Sequence, residues 1–251
     1  MGSEQWCSHL LDTKEVHKFA AANFSIPFKS LSCRGGSTGT CARREENERA
    51  VARELLADSN IPHRRPDQIP RTFDNFEVLE GCEAALAAAQ RMARLEGPKI
   101  LGFLGQPGCG KSHLLEAIAR SFVTAKRTVR YDYVPDLLSE LRNTYSEDSD
   151  ETVDQLNQWR KSKTLLVLDD IGVGYDQRGP ARAWVQEQLL TLVDERYRNG
   201  GRLAFATNLT KGQMEHYMGL RLASRLWDRS DKVDLVHMTC GDFRERRSNA
   251  S

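Results

Sequence analysis

The sequence predicts an α/β fold, with one parallel sheet and helices on both of its faces. Three observations carry this. From residue 98 onward, short apolar runs of strand length alternate with longer stretches of helical period. The first run, Ile100-Leu-Gly-Phe-Leu104, passes straight into the glycine-rich stretch Gly105-Gln-Pro-Gly-Cys-Gly-Lys-Ser112. A stretch with Leu114, Leu115, Ile118 and Phe122 on one helical face follows it. A later run, Leu165-Leu-Val-Leu168, is wholly apolar, as a strand covered on both faces must be, and ends in Asp169-Asp170.

Length and charge bound the rest. The 251 residues suffice for one large domain and a smaller appendage. A net charge of +1 leaves no global basic excess, so any nucleic-acid contact must be local. No apolar run approaches the roughly 18 residues of a membrane span, and the first residues contain no signal-peptide core. The expectation is a soluble, cytoplasmic protein with no membrane partner. The six cysteines, Cys7, Cys33, Cys41, Cys82, Cys109 and Cys240, match no disulfide framework and read as reduced thiols.

Taken in order, residues 1–32 are weakly patterned. A short helix is predicted at 13–24, where Val16, Phe19 and Ala20 share a face. Residues 32–41 form a Gly/Ser/Thr-rich turn between Cys33 and Cys41. Zinc is not expected there, because a structural site needs three or four ligands, usually with close Cys-x-x-Cys pairs. Residues 42–57 form a charged helix with Val51, Leu55 and Leu56 on its apolar edge. Residues 59–71, with Pro62, Pro66 and Pro70, are a linker, and 72–76 enter the main domain. An alanine-rich helix at 81–95 ends at Gly97-Pro98. Strands are then predicted at 99–104, 128–134, 165–168, 203–206 and 233–237. The intervening helices lie at 112–122, 135–145, 153–161, 181–198, 211–218 and 220–225, with an acidic loop at 146–151.

The stretch from Gly105 to Ser112 has the G-x-x-x-x-G-K-[ST] spacing of a phosphate loop, in the strand–loop–helix context that the motif requires. Its glycines allow the backbone N–H groups to turn inward on phosphate oxygens, and the helix N-terminus adds its positive pole. The candidate nucleotide-binding residues are Gly105, Gln106, Pro107, Gly108, Cys109, Gly110, Lys111, Ser112 and His113. Lys111 serves as the point charge on the outer phosphates, and the Ser112 hydroxyl as a Mg²⁺ ligand. His113 lies beyond the phosphate contacts and reads as a packing residue. The strand ending in Asp169-Asp170 has the Walker B pattern, with Asp169 on Mg²⁺ and Asp170 orienting the attacking water. Asn208 ends the strand at 203–206 and is a candidate γ-phosphate or water contact. The alternative is that Asn208 or Thr210 caps the helix at 211. Arg221 and Arg225, four residues apart, project from one helical face. They are candidates for an arginine supplied to a neighbour's γ-phosphate, or for surface arginines paired with Asp228 or Asp231.

These motifs, in this order and spacing, resemble the AAA+ ATPases of the DnaC/DnaI helicase-loader type, whose core the transposition helper IstB shares. The resemblance covers residues 69–244. It rests on LGQPGCGKSHLLEAIA, VRYDYVPDLLSELR, LLVLDDIGV, LVDERYRNGGRLAFATNL, RLASRLWD and GDFR, and on the turn Ser59-Asn-Ile-Pro62. It implies a P-loop AAA+ core with sheet order 5-1-4-3-2, a reduced or absent lid, and a small, mainly helical N-terminal segment. Residues 1–68 would hold a hexameric replicative helicase, and residues 69–251 would form the ATPase domain. The cofactors would be ATP and Mg²⁺. The partners would be that helicase, single-stranded DNA and a neighbouring subunit, reached through an arginine finger to form a ring. The resemblance further implies a loader that delivers the helicase to single-stranded DNA at replication initiation, with ATP binding and hydrolysis as the switch.

Three departures refine this. The cysteine knuckle of such loaders is reduced here to Cys33 and Cys41. Asp170 stands where many AAA+ proteins have Glu, and its shorter reach predicts slow hydrolysis. Only 26 residues follow Arg225, too few for a full helical lid. An IstB-like transposition helper is the alternative function. A small-molecule phosphotransferase would leave Asn208, Arg221 and Arg225 without a role.

Overall fold

The computed structural model describes residues 42–62, 68–147, 160–172, 180–228 and 230–243. The expectations for 1–41, with Cys33 and Cys41, and for most of the helix at 153–161 and the loop at 146–151, fall outside these residues. The chain divides into two compact units, Met1–Val51 and Ala52–Ser251. The elements are α1 (Ala42–Asp58), α2 (Glu83–Ala93), β1 (Ile100–Gly105), α3 (Lys111–Thr124), β2 (Val129–Tyr133), α4 (Val134–Glu147), β3 (Leu165–Ile171), α5 (Pro180–Asn199), β4 (Arg202–Thr207), α6 (Lys211–Met218), α7 (Leu220–Leu226) and β5 (Val233–Met238).

The five strands form one sheet in the order β2-β3-β4-β1-β5, every pairing parallel. This is the predicted 5-1-4-3-2 read from the opposite edge. The strands placed inside the sheet carry the unbroken apolar runs. Leu165 to Leu168 of β3 are all fully buried, as are Ala204 and Phe205 of β4.

Strand alternation divides the core between the two faces. Leu166, Leu168 and Phe205 pack with Leu189 of α5, Met214 of α6 and Leu222 of α7. The opposite face of β3, which carries Val167 and Asp169, lies under α3. α2, whose Ala85, Ala88, Ala89 and Met92 are buried, packs beside α3.

β2 is an edge strand with backbone groups to satisfy. The turn after α1 supplies them. The Tyr131 N–H donates to the Ser59 carbonyl at 2.7 Å, and Asn60 Nδ2 donates to the Tyr131 carbonyl at 2.9 Å. Ile61 is buried in the same turn, and Lys163 pairs with Asp58 at 2.7 Å. Proline content marks this segment as a linker, but its first residues are fastened to the sheet edge.

Thr210 caps α6 in a reciprocal box with Gln213, so the cap is Thr210 and Asn208 is left for another task. After α7, β5 and residues 239–243 follow among the described residues. No helix of the described residues is long and apolar enough to cross a membrane.

Candidate functional site

The phosphate loop joins β1 to α3 at the C-terminal end of the sheet. Gly108 has φ +80° and Gly110 +94°, conformations that L side chains rarely adopt. Space is also lacking. A Cβ on Gly108 would stand 1.9 Å from the Asp242 carboxylate, and one on Gly110 would meet the Phe76 ring at 3.0 Å. The Phe243 N–H also donates to the Gly108 carbonyl, at 3.1 Å. The tail after β5 and the entry segment 72–76 therefore brace the loop.

Lys111 is 7% exposed, and its Nζ donates to the Gly105 and Gln106 carbonyls, each at 2.8 Å. The ammonium is thereby held over the loop as a preformed cation. The N-terminus of α3 has no side-chain cap, and a helix N-terminus suits an anion. His113 is turned away from the cradle. Its Nε2 lies 2.9 Å from the Thr72 carbonyl and 3.1 Å from Asn75 Oδ1, and its ring meets Phe76 edge-on. It joins α3 to the entry segment, which fits the packing reading and not its place among the nucleotide-binding candidates.

Cysteine chemistry departs from the expectation of reduced thiols. Cys82 and Cys240 are disulfide-bonded, 158 residues apart, and only Cys109 is free among the described residues. Cys82 lies at the start of α2 and Cys240 just past β5. Their sulfurs sit 3.8 and 3.3 Å from the Cys109 carbonyl, beneath the loop. No spacing signal exists for a pair that only the parallel sheet brings together.

The metal candidates converge. Alternation along β3 turns Asp169 toward α3, where Ser112 Oγ donates to its Oδ1 at 3.1 Å. Tyr131 of β2 donates to Oδ2 at 2.7 Å, a contact that sequence reasoning missed. Burial, then the adjacent Asp169 carboxylate, pushes the Tyr131 phenol well above its ordinary pKa, so it remains a donor. The exposed Tyr133 phenol is also raised, by desolvation first and then by Asp170.

The ladder between β3 and β4 shifts register between Leu168 and Ile171, and Asp170 in this bulge has φ +62°. A non-glycine residue held there marks a site where the surroundings override local preference. Asn208, at the tip of β4, donates from Nδ2 to Asp170 Oδ1 at 3.4 Å. Thr207 fastens the two tips through its hydroxyl to the Ile171 carbonyl at 2.6 Å.

Arg221 and Arg225 lie on α7, and their described contacts are with α5 and α7 rather than with the loop. Arg225 Nε pairs with Asp194 of α5, its Nη1 donates to the Arg221 carbonyl at 2.9 Å, and it stands over the Tyr197 ring. Asp228, the partner considered from sequence, instead accepts from Tyr197 and Ser230. Arg221 is exposed.

The donor set fits a magnesium–nucleotide complex. It offers hard oxygens from Ser112 and Asp169, a cation at Lys111, and a loop whose Gly108 and Gly110 have positive φ. Among the described residues, no cluster of three or more His, Cys, Asp or Glu suits another metal.

Comparison with known proteins agrees with the geometry. A family model described as IstB-like ATP binding protein matches residues 82–251. The replicative helicase loader DnaC of Buchnera aphidicola subsp. Schizaphis graminum is 28% identical over 184 residues, 72% of each chain. The crystal structure of a DnaC helicase loader superposes with TM-score 0.55 at 20% identity, over 67% of this chain and 97% of that one. Replication initiator DnaA bound to AMPPCP and single-stranded DNA superposes with TM-score 0.60 at 20% identity, over 70% and 52%. The fold is that of a P-loop AAA+ domain.

Proposed function

Because the chain belongs to the family of IstB-like ATP binding proteins, we propose that it is an ATP-dependent loader that binds a hexameric replicative DNA helicase and delivers it onto single-stranded DNA at replication initiation. The observation that carries the nucleotide half is the meeting of Ser112 and Asp169 beside Lys111, three residues from two elements that a triphosphate and its cation would require together. The loader half is supported by relatives named as replicative helicase loaders and by likeness in fold to a DnaC loader.

Mg²⁺, when bound, neutralises phosphate charge and draws electrons from the bond to be cleaved. The chain's own residues do the rest. Loop N–H groups and the α3 N-terminus bind the phosphates, and Lys111 exchanges its carbonyl partners for phosphate oxygens. Ser112 and Asp169 would hold the cation. Asp170 accepts from the attacking water, and Asn208 fixes the direction of that carboxylate. The short reach of Asp170 makes turnover slow, which suits a switch. Arg225 or Arg221 completes a neighbouring subunit's site, in a self-assembled ring or a heteromeric one. To act there, Arg225 must leave Asp194. Residues 1–68 grip the helicase, and residues 69–251 form the ATPase domain.

Co-purification with the host's replicative helicase tests the loader half. ATP-sensitive binding at micromolar concentration is expected, and no binding with or without ATP counts against it. The family description favours one second reading, an IstB-like transposition helper. That reading predicts ATP-dependent binding to a transposase and none to the helicase.

A further inference from the structure

We propose that Tyr131 is a positioning residue for the Asp169 carboxylate, its hydroxyl occupying Oδ2 so that Oδ1 alone is presented beside Ser112 to the cation. The proposal rests on the reading of Ser112 and Asp169 as the cation's ligands and adds the element that orients them.

The sheet register makes the contact. Tyr131 of β2 pairs with Val167 of β3, and Tyr133 pairs with Asp169. In a parallel ladder, paired residues share a face, so Tyr131, Val167 and Asp169 all lie under α3. Two residues at about 3.3 Å each separate Tyr131 from the level of Asp169. That gap is close to the reach of a tyrosine side chain leaning along the strand. The ring crosses it, and the hydroxyl arrives 2.7 Å from Oδ2. A shorter side chain at 131 would stop short of the carboxylate.

Tyr131 is held at both ends. Its backbone N–H and carbonyl are bonded to the turn at Ser59-Asn60, so the strand cannot slide outward. The side chain is 2% exposed, and Asp169 is 6% exposed. A buried phenol must donate to something, and Asp169 is the acceptor that the structure provides. With Ser112 Oγ on Oδ1, the carboxylate has one donor on each oxygen and a single orientation.

A cation held here would take the place of the Ser112 hydrogen bond on Oδ1, while Tyr131 keeps Oδ2. Ser112 Oγ and Asp169 Oδ1 would then hold it, hard oxygens of the kind that Mg²⁺ prefers. Groups that hydrogen-bond a metal ligand from behind commonly change metal affinity by about 10- to 100-fold when removed.

The test uses the full chain and Tyr131→Phe, which keeps the ring and deletes the donor. A fluorescent ATP analogue is titrated with excess Mg²⁺ and again with EDTA, and Mn²⁺ binding to the ATP complex is followed by electron paramagnetic resonance. The expected result is EDTA affinity within about twofold of wild type, and Mn²⁺ affinity and the Mg²⁺-dependent gain in ATP affinity each about tenfold weaker. A merely structural tyrosine would shift both ATP titrations together. Cation affinities within twofold of wild type overturn the proposal, as does an equal loss with and without Mg²⁺. If Tyr131→Phe does not fold, Tyr131→Met, an unbranched filler without the hydroxyl, is held to the same outcomes. Failure of the wild-type chain to bind ATP, or to gain affinity from Mg²⁺, would instead count against the underlying assignment of Ser112 and Asp169.

Discussion

Asn208 at the tip of β4 points its amide at Asp170 at the tip of β3, with Nδ2 3.4 Å from Oδ1. The two residues are 38 apart in sequence and meet because β3 and β4 are adjacent and parallel. The Asp170 carboxylate is thereby aimed from a backbone already held at φ +62°. Asn208→Ala is expected to lower ATP hydrolysis about a hundredfold, the order of loss when a catalytic group is left misplaced. ATP affinity should stay within about threefold, since the phosphates keep the loop and Lys111. Steady-state turnover and a binding titration on the same sample check this.

Arg225 serves two purposes in this account. Within the chain it ties α7 to α5 through Asp194, with both side chains about four-fifths buried. On the proposed function, Arg225 or Arg221 would complete the neighbour's site across an assembly. Arg225→Ala should therefore retain ATP binding, lose stability by about 1 kcal/mol, and lose assembly-dependent hydrolysis by about 10³-fold or more. Asp194→Ala controls for the first effect, since it breaks the pair and leaves the guanidinium. If Arg225→Ala hydrolyses like wild type under assembling conditions, the finger assignment is wrong, and Arg221→Ala should then show the loss.

The Cys82–Cys240 bond closes a loop of 158 residues around β1 to β5. A cross-link of that span constrains the unfolded chain by about 2–5 kcal/mol. Thermal melts should fall by several degrees on adding a reductant, and Cys240→Ser should melt like the reduced wild type in either buffer. Because both sulfurs lie under the Cys109 carbonyl, ATP affinity is expected to weaken along with stability. Melts that ignore the reductant would contradict the bond.

Asp228 is held below its ordinary pKa, first by the Ser230 hydroxyl and then by Tyr197. A depressed carboxylate binds fewer protons folded than unfolded near the ordinary aspartate value of 3.8. Its contribution is therefore present above that value and is lost as pH falls through the lower folded one. Melting temperature should decline below about pH 4, and Asp228→Asn should lower it at neutral pH while flattening the acid limb.

Much of this was legible in the sequence because it is local. The glycine loop, the apolar run into Asp169-Asp170 and the helix after Thr210 each lie within a dozen residues and follow a fixed period. The strand order was legible only through family resemblance, since periodicity does not say which strands are neighbours. What escaped depends on register between distant segments. Tyr131 reads as one aromatic in an alternating strand, and its role appears only when β2 pairs with β3. Ser59 and Asn60 look like linker because prolines follow, yet they close an open sheet edge. Asp194 lies in a segment singled out for resemblance, but its hold on Arg225 needs α5 and α7 side by side. The tail residues Asp242 and Phe243 reach Gly108 only because β5 is parallel to β1.

On the proposed function, Lys111 and its loop bind the phosphates of ATP, with Ser112 and Asp169 holding the cation. Calorimetric titration of ATP with Mg²⁺ into the wild-type chain and into Lys111→Ala tests it most directly. Saturable binding to wild type is expected, and a loss of about 10- to 150-fold in the variant from deleting one charged donor to phosphate. No binding by the wild-type chain, alone or with its partner, or equal binding by both chains, would contradict it.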